Sequence, residues 1–236
     1  EIVRDFVGKK GGCVEIPSGV YDVVCFNNDT QRVKYNGADG FSSIAATTGV
    51  AQVGDVKAFR TPDYLCGGRL VAVVVEVKIG CEQTIELPVT PMVCRYTYSV
   101  RGVKNLQNFS ECVAVQRLMC SEYSVGGDRE IQESRAEVCF AMERSGDAIT
   151  GSCYTFGAAD CDEYKTILYI RTANGKMVKG EYDVTQQINS QKGHLKNVDI
   201  VIDTDLDLDK QGGSTGGFGF DPSVDDWGDI ESDIIL

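Results

Sequence analysis

His194 is the single histidine of this 236-residue chain. It sits in Gln191-Lys-Gly-His-Leu195, a turn-like stretch with no cysteine or carboxylate cluster beside it. A nucleophile–base–acid relay needs partners that orient the imidazole, and a zinc site needs further nitrogen or sulfur ligands. His194 therefore reads as a surface-loop residue. The one Gly-x-Ser-x-Gly string, Gly212-Gly-Ser-Thr-Gly216, lacks the strand-to-helix setting of a nucleophile elbow. Gly212-Gly-Ser-Thr-Gly-Gly-Phe-Gly219 lacks the lysine and the flanking strand and helix of a phosphate loop.

The segment Asp203-Thr-Asp-Leu-Asp-Leu-Asp209 has four carboxylates, Asp203, Asp205, Asp207 and Asp209, that together are able to grip a calcium ion. An EF-hand loop opening at Asp203 needs glycine sixth and glutamate twelfth, where the chain has Leu208 and Ser214. Opening at Asp205 puts Lys210 and Gly216 in those places. A calcium site of another type stays open as the lesser reading. The strict alternation favours an extended strand with Leu206 and Leu208 inward and the aspartates in water. The 35 acidic residues always offer pairs for glycoside hydrolysis, but no stretch sets aromatic platforms around one. Trp227, the only tryptophan, lies near the last strand and reads as a packing anchor. No catalytic residue, resident metal or cofactor is expected.

Ten cysteines are diluted along the chain with no Cys-x-x-Cys. Cys25, Cys94, Cys112 and Cys139 fall within strand-like runs, where a thiol behaves as a small hydrophobe. Mostly buried thiols are the expectation. The best disulfide candidate is Cys153 with Cys161, which flank the loop Thr155–Asp160.

The net charge is −12, and the lysines and arginines form no cluster, which argues against binding nucleic acid. No apolar run is long enough to span a membrane. The chain opens on Glu1-Ile-Val-Arg-Asp-Phe6, with neither an initiator methionine nor a signal peptide, and reads as a mature or trimmed product.

The elements that must position any site are short strands. Val20–Phe26, polar Asn27–Thr30 and alternating Arg32–Tyr35 predict a hairpin whose first strand lies inside a sheet and whose second lies nearer an edge. Phe41–Thr47 reads as a strand or an anchored loop, and Thr48–Gly68 as an irregular surface wrap. Leu70–Ile79 is the strongest strand signal. Pro88-Val-Thr-Pro91 is the expected domain boundary, because proline cannot donate to a ladder. Beyond it Val93–Val103 places Cys94, Tyr96, Tyr98 and Val100 on one face. Further strands follow between Gly- and Asp-rich turns, with one helical turn near Asp183–Ile188. The expectation is all-β: two tandem sandwiches, residues 1–90 and 91–236.

The ordered set YDVVCFNND (21–29), VTPMVCRYTYSVRGVKNLQN (89–108), YTFG (154–157), YDVTQQI (182–188), NVDIVID (197–203) and FDPSVDDW (220–227) resembles an uncharacterised family of surface lipoproteins of Gram-negative gut anaerobes. That family is similar in turn to fimbrillin-type anchor and minor subunits. The resemblance implies transthyretin-like sandwiches, export, an outer-membrane tether through an N-terminal lipid, and strand exchange with other fimbrial subunits or cell-surface proteins. It carries no catalytic residue. The lipidated cysteine and the first strand of such proteins have no counterpart here, so the first sandwich is expected to expose an edge or groove. Ile230, Ile234 and Leu236 in the closing IESDIIL mark the candidate exchange strand. The resulting expectation is a non-enzymatic cell-surface subunit. Its alternative is a surface lipoprotein that binds glycans or host proteins without polymerising, through a cleft in the loops after Thr48 or around Gly126.

Overall fold

The computed structural model describes residues 2, 3, 5, 7, 8, 11–37, 40–76, 82–191 and 197–209. Runs of Val, Ile, Tyr and Thr favour the pleated, half-buried backbone, and the regular structure of the described residues is mostly strand. The first seven strands are β1 (Gly19–Phe26), β2 (Val33–Asn36), β3 (Ala45–Thr48), β4 (Val50–Val53), β5 (Val56–Arg60), β6 (Cys66–Val75) and β7 (Thr90–Pro91). Then come β8 (Cys94–Arg101), β9 (Phe109–Cys120), β10 (Glu122–Ser124), β11 (Arg129–Glu130), β12 (Arg135–Ser145) and β13 (Ala148–Thr155). The last are β14 (Lys165–Thr172), β15 (Met177–Asp183) and β16 (Asn197–Asp203), with one short helix, α1 (Thr185–Gln191), before β16.

The large sheet runs β15-β14-β9-β12-β13-β8-β16 and folds over on itself at β12. That strand pairs β9 along Arg135–Met142, and only its last three residues, Glu143–Ser145, pair β13. The alternation of each strand then sets two layers face to face. Tyr96, Tyr98, Val100, Val198, Ile200 and Ile202 of β8 and β16 meet Ala114, Phe140, Leu168 and Ile170 of β9, β12 and β14 in one core. The other face of the first layer is also covered. Val113, Val115, Ile167 and Tyr169 pack under Val53 and Ala58 of the β4–β5 hairpin. Strand β14 is therefore buried on both faces, which explains its uninterrupted apolar run Ile167–Ile170.

A smaller pair of sheets packs beside this. The β1-β6-β7 sheet lies over β11-β10-β3-β2, with Leu65, Met92, Ala46, Tyr123 and Phe156 between them. Phe26 of β1 and Tyr35 of β2 bring their ring centroids to 4.4 Å across this gap.

Several expectations change here. β1 pairs not with β2 but with β6, in the register Gly19↔Val75 to Phe26↔Gly67, and it lies at its sheet's edge. The reason is local. The Asp63 carboxylate accepts the backbone N–H groups of Gln31 and Arg32 at 2.7 and 2.6 Å, and the Asn27 side chain accepts the N–H of Cys66. Residues 27–32 are thus pinned to the 63–66 loop instead of closing a tight turn. The stretch 48–68 is not irregular, because Val50–Val53 and Val56–Arg60 pair about a Gly54-Asp55 turn. The division into 1–90 and 91–236 does not separate the sheets either. β3 pairs with β10, and β5 runs parallel to β12, so two ladders cross residue 90.

One polar cluster sits inside the large core. Gln116 is fully buried, and its Oε1 accepts the hydroxyls of Tyr98 at 3.0 Å and Thr166 at 2.6 Å. A buried donor stripped of its acceptor costs about 1–3 kcal/mol. Gln116→Leu is accordingly expected to lower unfolding stability by roughly 2–4 kcal/mol, with two hydroxyls orphaned. Adding Tyr98→Phe and Thr166→Val should restore part of that loss, as read from urea midpoints at constant slope.

Candidate functional site

Within a sheet each strand satisfies its neighbours, so the places open to another chain are the outermost strands. The main path of the large sheet ends at β16 and β15, and its side branch through β5 ends at the four-residue β4. α1 lies along β16. The Gln187 side chain donates to Val201 O at 2.9 Å and accepts the Val201 N–H at 2.7 Å. Gln191 does the same to Asp199, at 3.2 and 3.1 Å. Each amide side chain thus takes the role of a peptide group on a neighbouring strand. α1 itself is seated by buried Ile188 and opens at the Asp183 carboxylate, which accepts the Thr185 N–H at 2.8 Å. The Thr185 hydrogen bonds hold that carboxyl below its usual range. At the other end, β15 carries exposed Lys179 and Glu181. Lys179 lies over the Tyr169 ring, and Glu181 pairs with Lys165 at 3.3 Å.

In the smaller sheets β7 and β11 are two residues each and β2 is four. β1 is different. It is eight residues long, and among the described residues its only strand partner is β6. The ribbon it makes with β6 carries exposed valines: Val20 at 68%, Val71 at 62% and Val74 at 54%. Val20 and Val74 face each other directly across the ladder. The register shifts between Tyr21 and Val23. There Ala72 adopts a positive φ of 56°, and its N–H donates to the Asp22 carboxylate at 2.9 Å. Asp22, the one charge in β1, is thereby engaged within the ribbon. Deeper along, Gly68 is required because a Cβ there would overlap the Pro88 carbonyl oxygen.

The residues singled out from sequence fall elsewhere. Asp203 ends β16, and Asp205 is exposed. Asp207 accepts the Asn105 amide at 2.7 Å and the Asp209 N–H at 3.0 Å, while Asp209 accepts the Asn108 amide. These two carboxylates tie the end of the described chain to the 105–108 turn. Among the described residues no group of three or more His, Cys, Asp or Glu side chains is arranged to hold a metal ion. Leu208 is buried and Leu206 packs against the core, the side of the alternation expected for them.

Cys153 and Cys161 are both free thiols, so the expected pair is not made. Cys153 points into the large core, and burial pushes its thiol up. Cys161 donates to Glu163 O at 3.4 Å. The loop between them does not return as a hairpin. It runs along the end of β9, where Ala158 bridges Met119 and Ala159 N–H donates to Leu118 O. Burial likewise raises Cys112 to about 12, far from a reactive thiolate. His194, Trp227 and the exchange-strand residues Ile230, Ile234 and Leu236 lie outside the described residues. No helix among the described residues is long and apolar enough to cross a membrane. Periodicity alone missed the open β1 edge and the glutamine cover of β16. The Gln187/Gln191 spacing just before a strand was the available signal for the latter.

The arrangement has solved counterparts. The chain is similar to a candidate adhesin from Bacteroides ovatus ATCC 8483, with a TM-score of 0.71 at 16% identity over 89% of this chain and 82% of that one. It aligns more loosely with a second candidate adhesin from Bacteroides ovatus, at a TM-score of 0.49 and 11% identity over 80% and 68% of the two chains. The fimbrial anchor protein Mfa2 of Porphyromonas gingivalis gives a TM-score of 0.42 at 14% identity over 80% and 69%. The first likeness establishes a shared fold. No curated protein matches the chain in sequence. A family model described as a domain of unknown function, DUF5119, matches residues 1–141.

The glutamine cover makes a direct prediction. Gln187→Ala with Gln191→Ala removes four hydrogen bonds from β16 without touching the core. It should cost about 1–3 kcal/mol of stability. It should also accelerate amide exchange at Asp199 and Val201, measured by NMR, relative to the inward bonds of the same strand.

Proposed function

The chain belongs to the DUF5119 family, and from that premise we propose that it is a non-enzymatic structural subunit of the cell surface, an anchor or minor component of a fimbria-like polymer that receives a neighbouring subunit's strand along β1. The single observation behind this reading is the open edge of β1, eight residues long and flanked by exposed Val20, Val71 and Val74. An extended segment laid there would extend the sheet, its main chain supplying affinity and its alternate side chains the specificity. Each backbone hydrogen bond contributes about 0.5–1.5 kcal/mol net, and covering each valine adds up to about 1.5–3 kcal/mol. An incoming strand with small apolar residues at alternate positions fits this ribbon.

The partners in this reading are other fimbrial subunits or cell-surface proteins. Export and an outer-membrane tether through an N-terminal lipid belong to the same proposal, as does exchange of the closing segment 230–236. The candidate adhesin of the same fold and the fimbrial anchor protein support a surface role. The net charge of −12 supports the choice of protein over nucleic-acid partners.

The test is Val20→Lys with Val74→Asp. The two positions face each other, so the new charges pair across the ribbon and leave the fold intact. Wild-type chain mixed with purified fimbrial subunits should give a stable complex by size-exclusion chromatography. The folded variant should give none. A variant that joins the complex as well as wild type would overturn the reading.

A further inference from the structure

Away from β1, the connection Thr61–Tyr64 stands over the outer face of β8 and β13 and leaves a cleft of about 240 Å³. Its walls are fixed by backbone. The Thr61 hydroxyl donates to Tyr154 O and accepts the Tyr154 N–H, both at 2.9 Å, and so docks the connection onto β13. The Asp63 carboxylate accepts the N–H groups of Gln31 and Arg32 and thereby brings the Arg32 segment to the rim. Both N–H groups go to Asp63 Oδ2, so this carboxylate of the lining keeps its negative charge and the two arginines leave the cleft net positive.

Two arginines line the cleft, Arg32 from just before β2 and Arg95 from β8. Arg95 lies directly across the ladder from Tyr154. Elsewhere on the molecule Arg117 pairs with Glu137 and Arg171 with Glu111. Among the described residues neither Arg32 nor Arg95 has such a carboxylate partner. The Tyr64 ring is 46% exposed and stands edge-on to Tyr154, with centroids 5.9 Å apart. The exposed Ser152 completes the lining with a hydroxyl.

This set has a specific chemical complement. A guanidinium fork recognises a planar carboxylate through two parallel hydrogen bonds. A tyrosine face takes the apolar face of a pyranose ring, and hydroxyls and backbone groups satisfy the sugar's own hydroxyls. A bare phosphate would use the arginines and leave the rings idle. The cleft volume suits one sugar residue at the end of a longer chain rather than an oligosaccharide groove. From these features we infer that the Arg32–Tyr64–Arg95 cleft binds a carboxylate-bearing sugar, the charged terminus of an acidic glycan. The site is separate from the β1 edge and does not depend on polymer assembly.

Titration of the full chain with methyl glucuronide and with methyl glucoside, followed by NMR, tests this. The acidic glycoside should bind at least about tenfold more tightly than the neutral one, an affinity that falls as salt rises. Arg95→Gln and Arg32→Gln should each weaken it about tenfold, and Tyr64→Ala should weaken both glycosides. These three side chains are exposed, so the variants should fold, which circular dichroism checks. Arg135→Gln, an exposed arginine at the start of β12 that does not line the cleft, should change nothing. Equal binding of the two glycosides, or no binding of either, would overturn the inference. Acetate matching methyl glucuronide in affinity would also overturn it, since the site would then recognise any carboxylate.

Discussion

A sheet that does not close into a barrel leaves one row of peptide groups unpaired at each end, and that constraint organises this molecule. A bare row in contact with protein or solvent is a template for another strand. The chain handles its rows in different ways. At β16 the cover is a pair of glutamines one helical turn apart. Four residues of helix rise about 6 Å, and two residues of strand advance about 6.6 Å. Gln187 and Gln191 therefore meet Val201 and Asp199 in step. At β15 exposed Lys179 and Glu181 guard the edge, and β7 and β11 are too short to recruit a strand. β2 and β4 are four residues each, so among the described residues the long, apolar row that remains is β1.

The same pairing logic welds the two halves of the chain. β10 and β11, from beyond residue 120, complete the smaller sheet begun by β2 and β3. β5, from before residue 61, joins the large sheet at Val138 and Cys139 of β12. A load applied at β1 thus passes through β6 and the shared small core into strands of the large sandwich, with no flexible linker between. The family match, residues 1–141, takes in every strand of the smaller pair of sheets and ends within β12.

Much of this was legible in the residues. The inward set Tyr96, Tyr98 and Val100 follows from strict alternation in β8, and Leu206 and Leu208 from alternation among aspartates. The all-β class followed from strand-length runs between turn residues. The ordered motifs pointed to a family of surface proteins, and the chain shares its fold with a candidate adhesin. What local pattern does not carry is the identity of each strand's partner. Val20–Phe26 is equally satisfied beside β2 or beside β6, and the choice is made by Asn27 and Asp63 some thirty residues apart. The β4–β5 hairpin was legible in Gly54-Asp55, a two-residue turn with glycine first and at positive φ, but its strands are only four and five residues long and give little periodicity. The Cys153–Cys161 pair failed because flanking a loop implies proximity only if the loop closes.

The central claim is that β1 is the receiving edge, and amide hydrogen exchange across Val20–Phe26 tests it most directly. In the free chain the amides of β1 that do not bond to β6 should exchange rapidly. On assembly with fimbrial subunits the account predicts that these amides slow by about a hundredfold or more while those of β16 are unchanged. Assembly that leaves β1 exchange untouched and protects another edge instead would contradict it.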